Sequence, residues 1–338
     1  MPTLDVFQND AFSLIQLTAA INKAPYKPAR IGQLGLFGEQ GITTTHVMVE
    51  EKDGLLTLVP TSPRGGVPDS IGDTARRARS FLVPHLARRS KIMADTIQGV
   101  RAFGSETELE VVQRVVDQRL ATLRAMLEVT LEYHRMGAIK GVILDADGTT
   151  PIYNLFAEFG VSQQTANMVL QTSTTDVRAK CVAIIRQIES ELGAAMYDGI
   201  RAFCSASFFD ALVGHAEVKE TFKYQESPIL RQDLRKGFQF GGITWEEYRG
   251  SVGSVSFIED GYAYVFPEGV QTENGPLFQT NFAPGDYLET ANTLGLPLYA
   301  KQAIDAQFQK FVDLEAQSNP LSLCLRPRAV VKAYSQGS

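Results

Sequence analysis

Apolar and polar residues alternate from Thr43 to Val59, the period-two signature of a strand with two unlike faces. From Pro60 to Asp73 the chain becomes rich in Pro, Gly, Ser and Asp, and alternation resumes from Ser80 to Ala87. The pattern predicts a long two-stranded loop. Ser105-Glu106-Thr107-Glu108 has the spacing of a capping box, in which the serine hydroxyl and the glutamate carboxylate satisfy each other's backbone N–H groups. Leu109, Val112, Val116, Leu120, Leu123, Leu127 and Leu131 then repeat every three or four residues, as one face of a helix does. The helix is expected over 105–136 with Gly137 ending it, about 45 Å long at ~1.5 Å per residue. Its outward face carries Glu110, Arg114, Asp117, Arg119, Arg124 and Glu128.

Val142-Ile143-Leu144 and Ile152-Tyr153-Asn154-Leu155 flank an Asp-Gly turn and predict a β-hairpin over 142–156. Amphipathic helices are expected at Asp176–Leu192 and Ser205–Ala216. From Phe238 the reading is mostly strands, at Phe238–Phe240, Val255–Ile258 and Tyr262–Phe266, with a last alternating run from Leu321 to Tyr334. In residues 1–42, Asp10–Asn22 is a short helix stopped by Pro25 and Pro28, and Gly32, Gly35, Gly38 and Gly41 leave the chain extended. Helices and strands are interspersed without regular βαβ order, which makes the fold class α+β.

The 338 residues are 44% hydrophobic, enough for a substantial core, and no apolar run reaches the ~18 residues of a membrane helix. Cys181, Cys204 and Cys324 have no paired spacing, so neither a zinc ribbon nor a disulfide framework is expected. A net charge of −6 argues against coating nucleic acid by charge neutralisation. Residues 61–101 nevertheless hold eight Lys/Arg against three Asp, a basic segment suited to a solvated or partner-facing surface.

Candidate chemistry is sparse. His46, His85, His134 and His215 are scattered without metal-binding spacing, no Gly-rich loop opens a helix after a strand, and no cofactor is expected. Glu246-Glu247 beside Trp245 would point to opposite faces of a strand and read as surface charge. Val142-Ile143-Leu144-Asp145-Ala146-Asp147-Gly148-Thr149 resembles the first motif of the haloacid dehalogenase-like phosphatases. That resemblance would make Asp145 a nucleophile and Asp147 an acid/base beside magnesium. The later carboxylates it needs have their nearest candidates in Asp286 and Glu289, after Asn281-Phe282-Ala283-Pro284, which does not read as a buried strand. A plain hairpin turn is the simpler reading.

Several short runs together resemble the lambda-type major capsid proteins of tailed phages, the capsid protein E family. They include Leu17-Thr18-Ala19-Ala20-Ile21-Asn22, Gly35-Leu36-Phe37, Leu58-Val59-Pro60, Pro63-Arg64-Gly65 and Gly242-Ile243-Thr244-Trp245-Glu246-Glu247-Tyr248. Further along come Phe266-Pro267-Glu268-Gly269, Ala283-Pro284-Gly285-Asp286, Tyr299-Ala300-Lys301, Gln317-Ser318-Asn319-Pro320-Leu321 and Arg326-Pro327.

The resemblance implies the Hong Kong 97-type capsid fold. On this chain it would place an N-terminal arm at 1–42, an extended loop at 43–92, a peripheral domain with its spine helix at 93–172, an axial domain at 173–310 and a return to the peripheral domain at 311–338. It implies a non-enzymatic subunit that forms hexamers and pentamers, closes into an icosahedral shell around double-stranded DNA and resides in the virion capsid. Assembly would take place in the bacterial host cytoplasm. Only about forty residues precede the loop, so scaffolding is expected to have been removed or to come from a separate protein. A portal and a decoration protein are further expected partners. Some relatives weld subunits through a loop lysine; Lys52 and Lys91 lie near the loop base and Pro60–Ser80 has none, so assembly is expected to be non-covalent. Arg64, Arg76, Arg77 and Arg79 are the expected contacts from the loop, because guanidinium binds carboxylates bidentately. Glu110, Asp117 and Glu128 on the helix are the expected acceptors.

Overall fold

The computed structural model describes residues 10–23, 29–52, 76–94, 96, 108–223, 233–272 and 275–335. Its described helices are α1 (Leu14–Lys23), α2 (Arg30–Leu34), α3 (Glu108–Lys140), α4 (Leu155–Phe159), α5 (Val177–Leu192), α6 (Ala206–Gly214) and α7 (Ala216–Lys223). The apolar stripe expected on α3 is the side it buries: Val112, Val116, Leu120, Leu123 and Leu127 are at most 4% exposed. They pack with Ile92, Val312, Leu314, Ala316 and Ala300 of a three-stranded antiparallel sheet ordered 299–304, 311–318, 86–93. Leu17 and Ile21 of α1 close the same core. Residues 105–107 of the expected capping box lie outside the described residues.

A larger core surrounds a six-stranded sheet ordered 164–167, 331–334, 262–268, 199–204, 243–247, 238–240. Its central strands read as nearly continuous apolar runs because both faces are covered; Ala263, Val265, Phe266, Ala202 and Phe203 are all fully buried. Trp245, 0% exposed, satisfies its indole N–H on the Phe240 carbonyl at 3.1 Å. Asp176 and Ser205 cap α5 and α6 by accepting from Ala179 and Phe208 backbone N–H groups.

Several expectations are corrected. The spine-type helix does not stop at Gly137 but continues to Lys140, and from Leu131 onward it is buried on every side. Gly137 stays helical because the backbone of Val142 and Ile143 lies against it, so burial outweighs its low helix propensity. The helix ends at Gly141 instead, with φ +81° and the Phe156 ring 2.3 Å from where a Cβ would stand. The segment expected to be extended between Gly32 and Gly41 contains α2 and a strand at Gly38–Gly41 that pairs in parallel with Phe278–Phe282. Residues 278–282 are themselves a buried strand, contrary to the hydropathy reading of Asn281-Phe282-Ala283-Pro284. The buried polar residues Gln279, Thr280 and Asn281 hide it from a hydropathy scan. Val255–Ile258 yields only a two-residue strand, and the helix expected to reach Ala216 breaks at His215 and restarts as α7.

The boundary expected near residue 310 is crossed both ways by hydrogen-bonded strands. Tyr299–Ile304 joins 311–318 beside α3, whereas Val331–Tyr334 lies between 164–167 and 262–268 in the six-stranded sheet. Strand alternation reports burial of one face but not the identity of the neighbouring strand.

His134 on α3 is 2% exposed, and burial lowers its pKa from 6.5 to about 4, with Asp145 opposing the shift. Between those pH values the unfolded chain takes up a proton that the folded chain refuses. Stability is therefore full above pH 6.5 and falls as the pH drops toward 4, by about 3 kcal/mol for this group. Urea denaturation at pH 7 and pH 4.5 measures the slope, and His134→Gln is expected to flatten it.

Candidate functional site

Two strands, His46–Lys52 and Arg76–Leu82, pair antiparallel from His46↔Leu82 out to Lys52↔Arg76 and form a ribbon. The order follows the sequence expectation, but the returning strand starts at Arg76 rather than Ser80. The Arg-rich run is part of the ladder, because its residues meet the strand before the loop in register. One face of the ribbon base is buried in the larger core: Val47, Val49, Phe81 and Val83 are at most 8% exposed. On the other face Met48 and Leu82 are exposed, at 63% and 55%.

The basic residues separate by position. Arg64 lies outside the described residues. Arg76 and Arg77 occupy the outer end of the ladder. Arg79 is engaged by its own chain: its guanidinium lies over the Phe159 ring, 5.4 Å from the centroid, and donates to the Phe159 carbonyl at 3.3 Å. On α3, Glu110 lies in the first turn and Asp117 is exposed. Glu128 faces Arg124 at 3.5 Å across one helical turn. Withdrawal from water raises the Glu128 carboxyl above the usual range, against the pull of Arg124.

The phosphatase-like run is a turn. Asp147 accepts from Thr149 N and Thr150 N at 2.9 Å and from the Thr150 hydroxyl at 2.5 Å. These bonds hold its carboxyl far below the usual range, and it is spent on closing the turn. Asp145 accepts from the Ala146 N–H, while Asp286 lends its N–H to Gln317 and Glu289 pairs with Lys301. Among the described residues no group of three or more His, Cys, Asp or Glu could hold a metal ion.

Sequence reasoning missed a buried charge network. Glu246, expected on the surface, is 4% exposed and accepts from Arg30 at 2.5 and 2.8 Å and from Arg201 at 2.9 Å. Arg201 also reaches Glu268 at 2.5 Å. Glu247 accepts from Arg249, and its side chain too is only 3% exposed. Nearby, buried Glu132 of α3 accepts from the Ile31 N–H at 2.7 Å and the Tyr248 hydroxyl at 3.0 Å. Burial and the neighbouring Glu132 push the Tyr248 hydroxyl well above its ordinary pKa. The network locks α2, α3 and the six-stranded sheet together along a cleft of about 630 Å³. The charged wall groups Arg30, Arg235 and Arg249 are paired with Glu246, Asp233 and Glu247. Among the described residues no nucleophile, base and oxyanion donor converge on one point there, and the network acts as a structural joint.

A long helix under an antiparallel sheet, a second sheet-centred core and a two-stranded ribbon anchored in it have the arrangement of the Hong Kong 97-type capsid fold. A prophage capsid protein of E. coli CFT073 superposes with a TM-score of 0.54 at 14% identity, over 96% of this chain and 99% of that one. The capsid protein of cyanophage P-SCSP1u does so at 0.51 and 13% identity, over 93% and 90%. The model of the phage major capsid protein E family matches residues 13–335, and the chain belongs to that family of capsid structural proteins. It is 31% identical to the major capsid protein of Pseudomonas phage KPP10, over 98% of this chain and 99% of the relative. To the major capsid protein of Salmonella phage Felix O1 it is 26% identical, over 96% of each. The chain is a structural protein of the virion capsid rather than an enzyme.

Proposed function

We propose that this chain assembles through hexamers and pentamers into an icosahedral shell around double-stranded DNA, with the ribbon at 46–52 and 76–82 as the element that grips a neighbouring copy. The observation that carries this reading is the ribbon itself. It is anchored at one end in the core and continues outward as a paired ladder, which suits a lever that reaches another subunit. Many modest contacts, repeated around a ring, add up through avidity. Arg64, Arg76 and Arg77 are the proposed contacts from the ribbon and the loop beyond it, with Glu110 and Asp117 of a neighbouring α3 as acceptors. Arg79 and Glu128, engaged within their own chain, serve those contacts by holding the two surfaces in place.

In this reading α3 and the three-stranded sheet form the peripheral part and the six-stranded sheet forms the axial part. A chain of net charge −6 suits a container that holds DNA without adhering to it. A separate scaffold, a portal and a decoration protein complete the proposed partners, with assembly in the host cytoplasm. Electron microscopy of the purified protein tests the proposal. Closed shells, tubes or ring-shaped capsomers are expected, and a protein that stays monomeric at every concentration and ionic strength would overturn it.

A further inference from the structure

We propose that α4 is a clamp that fixes the angle at which the ribbon leaves the body, and that this angle sets the curvature of the assembled shell. The inference rests on the capsid reading above and adds positioning residues to it. Five contacts converge on the ribbon base. Phe81, 1% exposed, stands edge-on to Tyr153 with centroids 5.5 Å apart and lies 6.0 Å from Phe159. Tyr153 donates its hydroxyl to the Leu82 carbonyl at 2.8 Å. Arg79 covers the Phe159 ring and binds the Phe159 carbonyl. That carbonyl lies in the last turn of α4, where no helical N–H four residues on follows to donate to it. The cation therefore completes a helix terminus while pinning a strand.

The clamp is itself keyed to the long helix. Leu155 N–H donates to the Gly141 carbonyl at 2.8 Å, and the Phe156 ring fills the space beside Gly141 that a side chain would need. Asn154 caps α4 by accepting from Phe156 and Ala157 N–H groups. A continuous path of packed groups thus runs from the end of α3 through α4 to Arg79 and Phe81. The ladder extends three further pairs beyond Val49↔Arg79, from Glu50↔Ala78 to Lys52↔Arg76. A small rotation at the clamp is therefore magnified at the outer end, where neighbours meet. Packed aromatic contacts resist small rotations at the ribbon base, which narrows the range of angles the ribbon samples.

The test compares wild type with Arg79→Ala and with Phe159→Leu, by the diameter distribution of assembled particles and by a distance measured in unassembled protein. Spin labels at Ala78→Cys and Asp210→Cys, both exposed positions, report the ribbon angle; Cys181, Cys204 and Cys324 are buried and do not compete for label. Both variants are expected to assemble, with a diameter distribution at least about twofold wider than wild type and a correspondingly broadened label distance. Tyr153→Phe, which removes only the hydroxyl bond, is expected to give a smaller broadening and guards against a folding defect in the other two. Shells and distances unchanged in both main variants would overturn the clamp. So would an effect of Arg79→Ala alone, which would make Arg79 a contact to a neighbour. If wild type forms no assemblies, the proposed unaided self-assembly fails, while the distance distribution still decides whether α4 fixes the ribbon.

Discussion

Replacing residues 53–75 with a two-residue Asn-Gly turn is expected to leave a folded protein that no longer forms shells. The described ladder reaches Lys52↔Arg76, so a two-residue type I′ turn joining those two residues keeps its register. The shortened chain keeps Val47, Val49, Phe81 and Val83, the ribbon-base residues that sit in the larger core. Circular dichroism and thermal unfolding should therefore match the full-length chain within a few degrees. Removal of the proposed grip at every subunit multiplies around each ring, because avidity depends on all contacts being engaged together. Electron microscopy and sedimentation should show monomers or small oligomers only. Normal shells from the shortened chain would show that the loop does not hold neighbours.

Glu246→Ala is expected to be the most damaging single substitution on the charge network, costing about 3 kcal/mol or more and lowering Tm by about 5–10 °C. The removed carboxylate is the shared acceptor of Arg30 and Arg201. Its loss leaves two guanidinium groups facing each other at a partly dry joint, which costs more than the ion pairs contribute. The expected loss is placed at the lower end of the range for buried pairs because Arg201 keeps Glu268 and the Arg30 side chain is 37% exposed. The high pKa that Glu246 confers on Arg30 has the same origin, a hydrogen-bonded carboxylate at short range. Glu246→Gln keeps the shape and one accepting oxygen but sets an amide N–H against a guanidinium donor, so it should cost less than Glu246→Ala while remaining destabilising. Chemical denaturation of both variants checks the order. A Glu246→Ala protein within 0.5 kcal/mol of wild type would mean that water replaces the carboxylate freely.

The functional surface was legible in part. The ribbon announced itself by alternation on either side of a Pro- and Gly-rich stretch, and α3 by its three-and-four spacing. The role of Arg79 was not legible, because it depends on a carbonyl eighty residues away. Nor was the burial of Glu246: a lone glutamate next to another reads as surface until Arg30 and Arg201 are seen to converge on it. Residues 278–282 were missed for a related reason, since their polar side chains are paired inside the core and hydropathy counts only the side chain's preference for water. Conversely, Asp145-Ala146-Asp147-Gly148 looked like chemistry and is a turn, because an aspartate suits a hairpin corner as well as it suits a metal.

By itself the sequence determined the local elements and the family. Periodicity is dictated by the geometry of helix and strand, and caps and turns by groups a few residues apart, so both survive in the linear order. Only the tertiary structure decided which strands pair, that 299–304 and 331–334 exchange sides of the expected boundary, and that α4 grips the ribbon base. Those outcomes come from contacts between residues distant in sequence, where burial and charge pairing are shared properties of two or more segments and are written in neither one alone.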